Sequence, residues 1–194
     1  MFPQATHDLI DWSVLNKPFR QQQTIARPVT VDGFGYWSGL DVRVEFRPAA
    51  PNAGIVFVRT DSGRAERIPA IVLNRVEIPR RTNLASAGAT VEMVEHIMAS
   101  LAGLRIDNCE IWTNRAEMPG VDGSGRPFVD SLRSAGLVQQ VVPRAKLVIT
   151  KTTRVGTDEC WVQAQPNPAD GLSIRYCLDF GPKNPIGQQT IDLS

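Results

Sequence analysis

In DVRVEFRP, residues 41–48, Val42, Val44 and Phe46 alternate with Arg43, Glu45 and Arg47, and Pro48 closes the run. A period of two marks a strand with one apolar face, and such a face needs a covering layer. GIVFVRT, PAIVLN and NCEIWT are further strand candidates. Two segments can supply the cover. In VEMVEHIMASLAGL, Val91, Val94, Ile97, Met98, Leu101 and Leu104 share one arc of a helix wheel turned by about 100° per residue. GRPFVDSLRSAGL predicts a second helix, with Pro127 in its first turn, Phe128, Leu132 and Ala135 on one face and Gly136 as its cap. Residues 23–142 are therefore expected to form a two-layer α+β domain, sheet against helices, and residues 1–22, polar and patternless, an N-terminal tail.

Beyond residue 142 the pattern changes. KLVITK, CWVQAQ, LSIRYCLDF and QQTIDL are strand candidates separated by turn residues such as Asn167, Pro168, Gly171 and Pro185, and no helical period appears. Ile174, Tyr176, Leu178 and Phe180 alternate with Ser173, Arg175, Cys177 and Asp179, which gives a sheet with an apolar face and nothing nearby to cover it. The expectation is that residues 143–194 are the first, mostly antiparallel strands of an incomplete second domain. A homodimer that covers the sheet from outside is the competing explanation.

Bulk composition narrows the partners. A formal net charge of +1 gives no general attraction to nucleic acid or to an anionic membrane, so a charged ligand must be handled locally. No run approaches the length of a membrane span, and MFPQATHDLIDW, with Asp8 and Asp11, does not read as a signal peptide. Cys109, Cys160 and Cys177 are widely spaced in strand-like runs, and buried free thiols in a reducing cytoplasm are the expectation.

Opposite the apolar arc of the first helix stand Glu92, Glu95, His96, Ala99, Ser100 and Gly103. A solvated face would carry Lys, Arg and Gln, yet no basic side chain occurs between Val91 and Leu104. Small residues around two ionisable ones leave a shallow acidic trough suited to close approach by another body. Glu95 and His96 diverge by about 100°, so one can serve as a metal ligand while the other acts as base. The alternative is a packed histidine with a satisfied ring. A catalytic zinc needs three protein ligands, and the other histidine, His7, stands in the expected tail.

Other motifs are weaker. GFGYWSG lacks the last glycine of a dinucleotide fingerprint, Ser38 standing there, and reads as a hairpin loop with Tyr36 and Trp37 partly exposed. EMPGVDGSGRPF reads as a turn and helix entry in which Asp122 or Ser124 accepts backbone N–H groups. GSG around Ser124 does not make a nucleophile elbow, because the preceding glycine is misplaced and no histidine is at hand as base. Arg80 and Arg81 read as a solvated pair, with contact to an anionic substrate as the alternative.

VEHIMASLAGLRIDN followed by EMPGVDGSGRPFV resembles the zinc-dependent UDP-3-O-acyl-N-acetylglucosamine deacetylases of lipid A biosynthesis, and RPVTVDGFGYWSG, VRVEFRPA and GIVFVRTD match in the same order. The resemblance implies two α/β domains facing a cleft, hydrolysis of the substrate's N-acetyl group by zinc-activated water, Glu95 as general base and His96 as first zinc ligand. The other two ligands, a His and an Asp four apart, have no counterpart here, nor have a lysine and a later histidine that assist. On this reading the chain supplies half of an active site for a UDP-linked acylated glucosamine and is inactive alone. The alternative is a non-catalytic sugar-nucleotide- or partner-binding module on the same fold. The family often has a histidine where Trp37 stands and a basic residue where Leu40 and Asp41 stand, so substrate contacts from that loop are expected to differ.

Overall fold

The alternating and helical segments sort into two units in a computed structural model that describes residues 20–169 and 171–193. The units comprise residues 20–144 and 145–193. The expected tail falls outside the described residues up to position 19, His7 included. In chain order the first unit contains β1 (Gln21–Ile25), β2 (Val29–Phe34), β3 (Asp41–Pro48), β4 (Ile55–Arg59), β5 (Glu66–Pro69), β6 (Arg75–Ile78), β7 (Arg81–Ser86) and β8 (Ala89–Val91). It continues with α1 (Glu95–Gly103), β9 (Cys109–Thr113), α2 (Arg126–Ser134) and β10 (Leu137–Pro143). The second unit holds β11 (Thr153–Gly156), β12 (Trp161–Ala164), β13 (Ile174–Asp179) and β14 (Gln188–Leu193). The fold class is α+β with mostly antiparallel pairing.

The five-stranded sheet runs β2-β3-β9-β4-β5, antiparallel except for β4 beside β9. The alternation in β3 works as expected: Val42, Val44 and Phe46 are buried while Arg43 faces solvent. Ile97 and Leu101 of α1 and Phe128 and Leu132 of α2 join these residues and Ile111 in one core. Phe46 and Phe128 meet edge to face at 6.2 Å, a geometry worth about 0.5–1.5 kcal/mol beyond area burial. Gly136, at φ 76°, ends α2 in the left-handed turn that favours glycine. No described helix is long and apolar enough to cross a membrane.

Several expectations change. The first described strand starts at Gln21: β1 pairs antiparallel with β10, and Gln22 is buried in an amide network. Its Nε2 donates to Asn52, and its Oε1 accepts from Asn108 Nδ2 at 2.8 Å. PAIVLN is not a strand: after β5 the chain makes a 3-10 turn, Val72–Asn74, and Leu73 stands 88% exposed. The first helix starts at Glu95 rather than near Val91, because Glu92 is held in a parallel bridge to Glu117 and Met93 takes φ 58°. Cys109 is buried, but Cys160 and Cys177 are exposed.

The second unit consists of two antiparallel hairpins, β11–β12 and β13–β14. KLVITK contributes to neither, since the first strand begins only at Thr153. Arg175 and Asp192 sit directly opposite each other and pair at 2.7 Å. Ile174 faces Leu193 and Tyr176 faces Ile191. All four are largely exposed.

Candidate active site

Glu95 opens α1, where a carboxylate complements the helix dipole. Its Oε2 accepts the Thr82 N–H at 3.1 Å, while the Thr82 carbonyl accepts the Val94 N–H at 3.1 Å. One residue of β7 therefore grips the helix entry at two points. Among the described residues, the other oxygen of Glu95 has no protein partner. His96 follows, half-buried like Glu95. The core face is the one the wheel predicts, with Val91, Val94, Ile97 and Leu101 buried.

The trough of small residues is narrower than expected. Ser100 is only 3% exposed. Its hydroxyl hydrogen is shared between the carbonyl oxygens of His96, at 2.7 Å, and Gly125, at 3.1 Å. A Cβ at Gly125 would stand 2.9 Å from the Ser100 hydroxyl, so glycine is what lets this loop settle on α1 beside His96. Ala99 and Gly103 remain exposed.

Asp122 and Ser124 do what loop chemistry predicts: Asp122 Oδ1 accepts the Ser124 N–H at 2.9 Å, and Ser124 Oγ accepts the Arg126 N–H at 3.1 Å. The Ser124 N–H and hydroxyl hold the Asp122 carboxyl below the usual aspartate range. The Ser124 hydroxyl itself donates to Asp122 Oδ1 at 2.8 Å, so Ser124 is engaged in helix entry.

The two glycine-rich loops lock together. A Cβ at Gly120 would run into the Tyr36 ring, and one at Gly123 would lie 3.0 Å from the Tyr36 hydroxyl. Tyr36 and Trp37 are partly exposed, as expected. Sequence reasoning missed the residue that organises them. Glu117, 6% exposed, accepts the Trp37 N–H at 2.8 Å through Oε1 and the Ser38 N–H at 2.9 Å through Oε2. Burial pushes its pKa up, but the Trp37 and Ser38 donors and Arg81 outweigh that and leave it below the usual glutamate value. EMPG has no spacing signal for such a role; the signal is the pair of free N–H groups in an eighty-residue-distant loop.

Arg81 is not a solvated residue. It pairs with Glu92 at 3.0 Å and its guanidinium lies 5.3 Å from the Trp37 ring centroid. A shallow pocket of about 300 Å³ lies between Trp37, Leu40, Glu92, Arg115 and Glu117, and it does not include Glu95 or His96. Both carboxylates of this pocket are already engaged, Glu92 with Arg81 and Glu117 with the Trp37 and Ser38 N–H groups.

Zinc fits this site only in part. His96 can supply one imidazole, but among the described residues no three His, Cys, Asp or Glu side chains come together as a metal group. A catalytic zinc takes three protein ligands.

The first unit is an α+β fold that places an acid–imidazole pair at a helix start beside a glycine-rich loop. The sequence profile of the UDP-3-O-acyl N-acetylglycosamine deacetylases matches residues 22–194, and the chain belongs to that family. A UDP-3-O-acyl-N-acetylglucosamine deacetylase of Myxococcus xanthus is 39% identical over 89% of this chain and 54% of its own length. Another from Shewanella violacea is 38% identical over 82% of this chain and 52% of its own. A protein of Chlorobaculum tepidum named bifunctional enzyme LpxC/FabZ is 36% identical over 87% of this chain and 36% of its own. The chain thus spans about half, or less, of the length of these relatives.

Proposed function

We propose that residues 20–144 form one wall of a zinc-dependent deacetylase site acting on UDP-3-O-acyl-N-acetylglucosamine, with Glu95 as general base and His96 as one metal ligand. The observation that carries the reading is the Glu95 carboxylate itself. One oxygen is tied to the Thr82 N–H and the other has no partner among the described residues, at the start of a helix whose next residue is a half-buried imidazole. A base needs this combination of fixed orientation and an open lone pair.

The remaining ligands come from outside the described residues, and residues 145–193 are the opening strands of the domain that bears them. Zinc bound there supplies Lewis acidity toward the amide carbonyl and water. Glu95 accepts the proton of the water that attacks the N-acetyl carbonyl, and the reaction releases acetate and the free amine. Tyr36 and Trp37 form a rim whose shape Glu117 fixes. The reading carries a cytoplasmic location, where exposed thiols such as Cys160 and Cys177 stay reduced.

The test is turnover of the full-length gene product. Glu95→Gln is expected to lower it by roughly 100-fold or more while zinc content stays near that of the unaltered protein. Near-unaltered turnover sinks the base assignment. A full-length product that binds the UDP-sugar with no hydrolysis at all favours the binding-module alternative.

A further inference from the structure

The turn that leads into α1 is held in a conformation its residue resists. Met93 has φ 58°, a left-handed conformation that crowds the Cβ of any residue but glycine. Its flanks are fixed: Glu92 donates its N–H to Ala116 O at 2.8 Å and Val94 donates to Thr82 O at 3.1 Å. Met93 itself is held from the side by Asn83, whose Oδ1 accepts the Met93 N–H at 3.3 Å. Asn83 is 1% exposed, so this amide is a built-in part of β7 and not a surface accident. Thr82, its neighbour, is the residue that grips Val94 and Glu95.

We propose that Asn83 is a positioning residue for Glu95. Its side-chain carbonyl keeps Met93 left-handed, the left-handed turn sets where α1 begins, and that start point brings the Glu95 carboxylate onto the Thr82 N–H with one oxygen left open. A relaxed Met93 shifts the first turn of the helix. The carboxylate then loses its fixed acceptor geometry. The catalytic meaning of this clamp rests on reading Glu95 as the base; the clamp itself does not.

Amide hydrogen exchange in the 194-residue chain tests the clamp directly. In Asn83→Ala the Thr82 amide is expected to exchange at least about 10-fold faster relative to a core amide such as Ile111. In Asn83→Ala/Met93→Gly, where glycine takes the left-handed turn without a Cβ penalty, most of the protection returns. Unchanged Thr82 protection overturns the proposal, and so does a loss shared equally by Thr82 and Ile111 or not recovered with Met93→Gly. In the full-length gene product the same single variant lowers kcat by roughly 10- to 100-fold with KM little changed, and Met93→Gly recovers it. If Glu95→Gln keeps its turnover while the exchange pattern holds, the base reading fails and the clamp stands.

Discussion

The two units use the same strand alternation and end with opposite results. In residues 20–144 the alternating faces of β3 and β9 close over α1 and α2, and Phe46, Phe57, Phe128 and Ile97 are fully buried. In residues 145–193 the alternation of β13 and β14 is as regular, yet none of the described residues there is buried. Alternation specifies a face, and only a second layer turns a face into a core. Glu95 and His96 sit on the unit whose helix entry is fixed by buried neighbours.

The difference can be pushed hardest in stability. Phe57→Ala removes a fully buried ring from the first unit and should cost about 3–5 kcal/mol in denaturant unfolding. If it costs under 1 kcal/mol, roughly the scale of a single exposed contact, the core described here is not the one that holds the unit.

Thiol reactivity separates the units next. Burial pushes the Cys109 thiol up to about 12, whereas Cys160 and Cys177 are exposed. A thiol reagent at neutral pH should label two cysteines quickly and the third only on unfolding. Fast labelling of all three in the folded chain contradicts the placement of Cys109.

A smaller effect concerns Glu117 and the loop it holds. Its pKa is lowered from the ordinary 4.5 by folding, so the unfolded state binds its proton first as pH falls. The stability it contributes is complete above about 4.5 and is lost as pH drops through the lower folded value. Glu117→Gln should flatten that acid slope and cost about 1–3 kcal/mol at neutral pH, the scale of charge-assisted hydrogen bonds. An unchanged slope contradicts the role. Smallest of all, Tyr176→Ala, in the exposed face of β13, should change stability by no more than about 0.5 kcal/mol. A loss of several times that would mean that something covers this sheet.

What the sequence reveals and conceals follows the same division. The alternation of residues 41–48, the helical face of Phe128 and Leu132, and the capping Gly136 were legible because local periodicity decides them. Glu95 and His96 were legible as a pair set off the core. Long-range bonds were not. Glu92 follows the helical pattern, but its backbone bonds to Ala116 and Met118 keep it in a bridge. Ser100 looks like an open-face residue until Gly125 lands on it. Gln22 looks like a tail residue until Asn52 and Asn108 take both ends of its amide. Val72 and Leu73 look like strand residues and stand in solvent on a 3-10 turn.

If α1 brings a metal ligand to a hydrolytic site, the chain's two histidines allow a direct comparison. Zinc content of the purified full-length gene product should fall to near background in His96→Ala and stay at the unaltered level in His7→Ala, with turnover following the metal. Zinc retained in His96→Ala at the unaltered level would contradict a ligand role for His96.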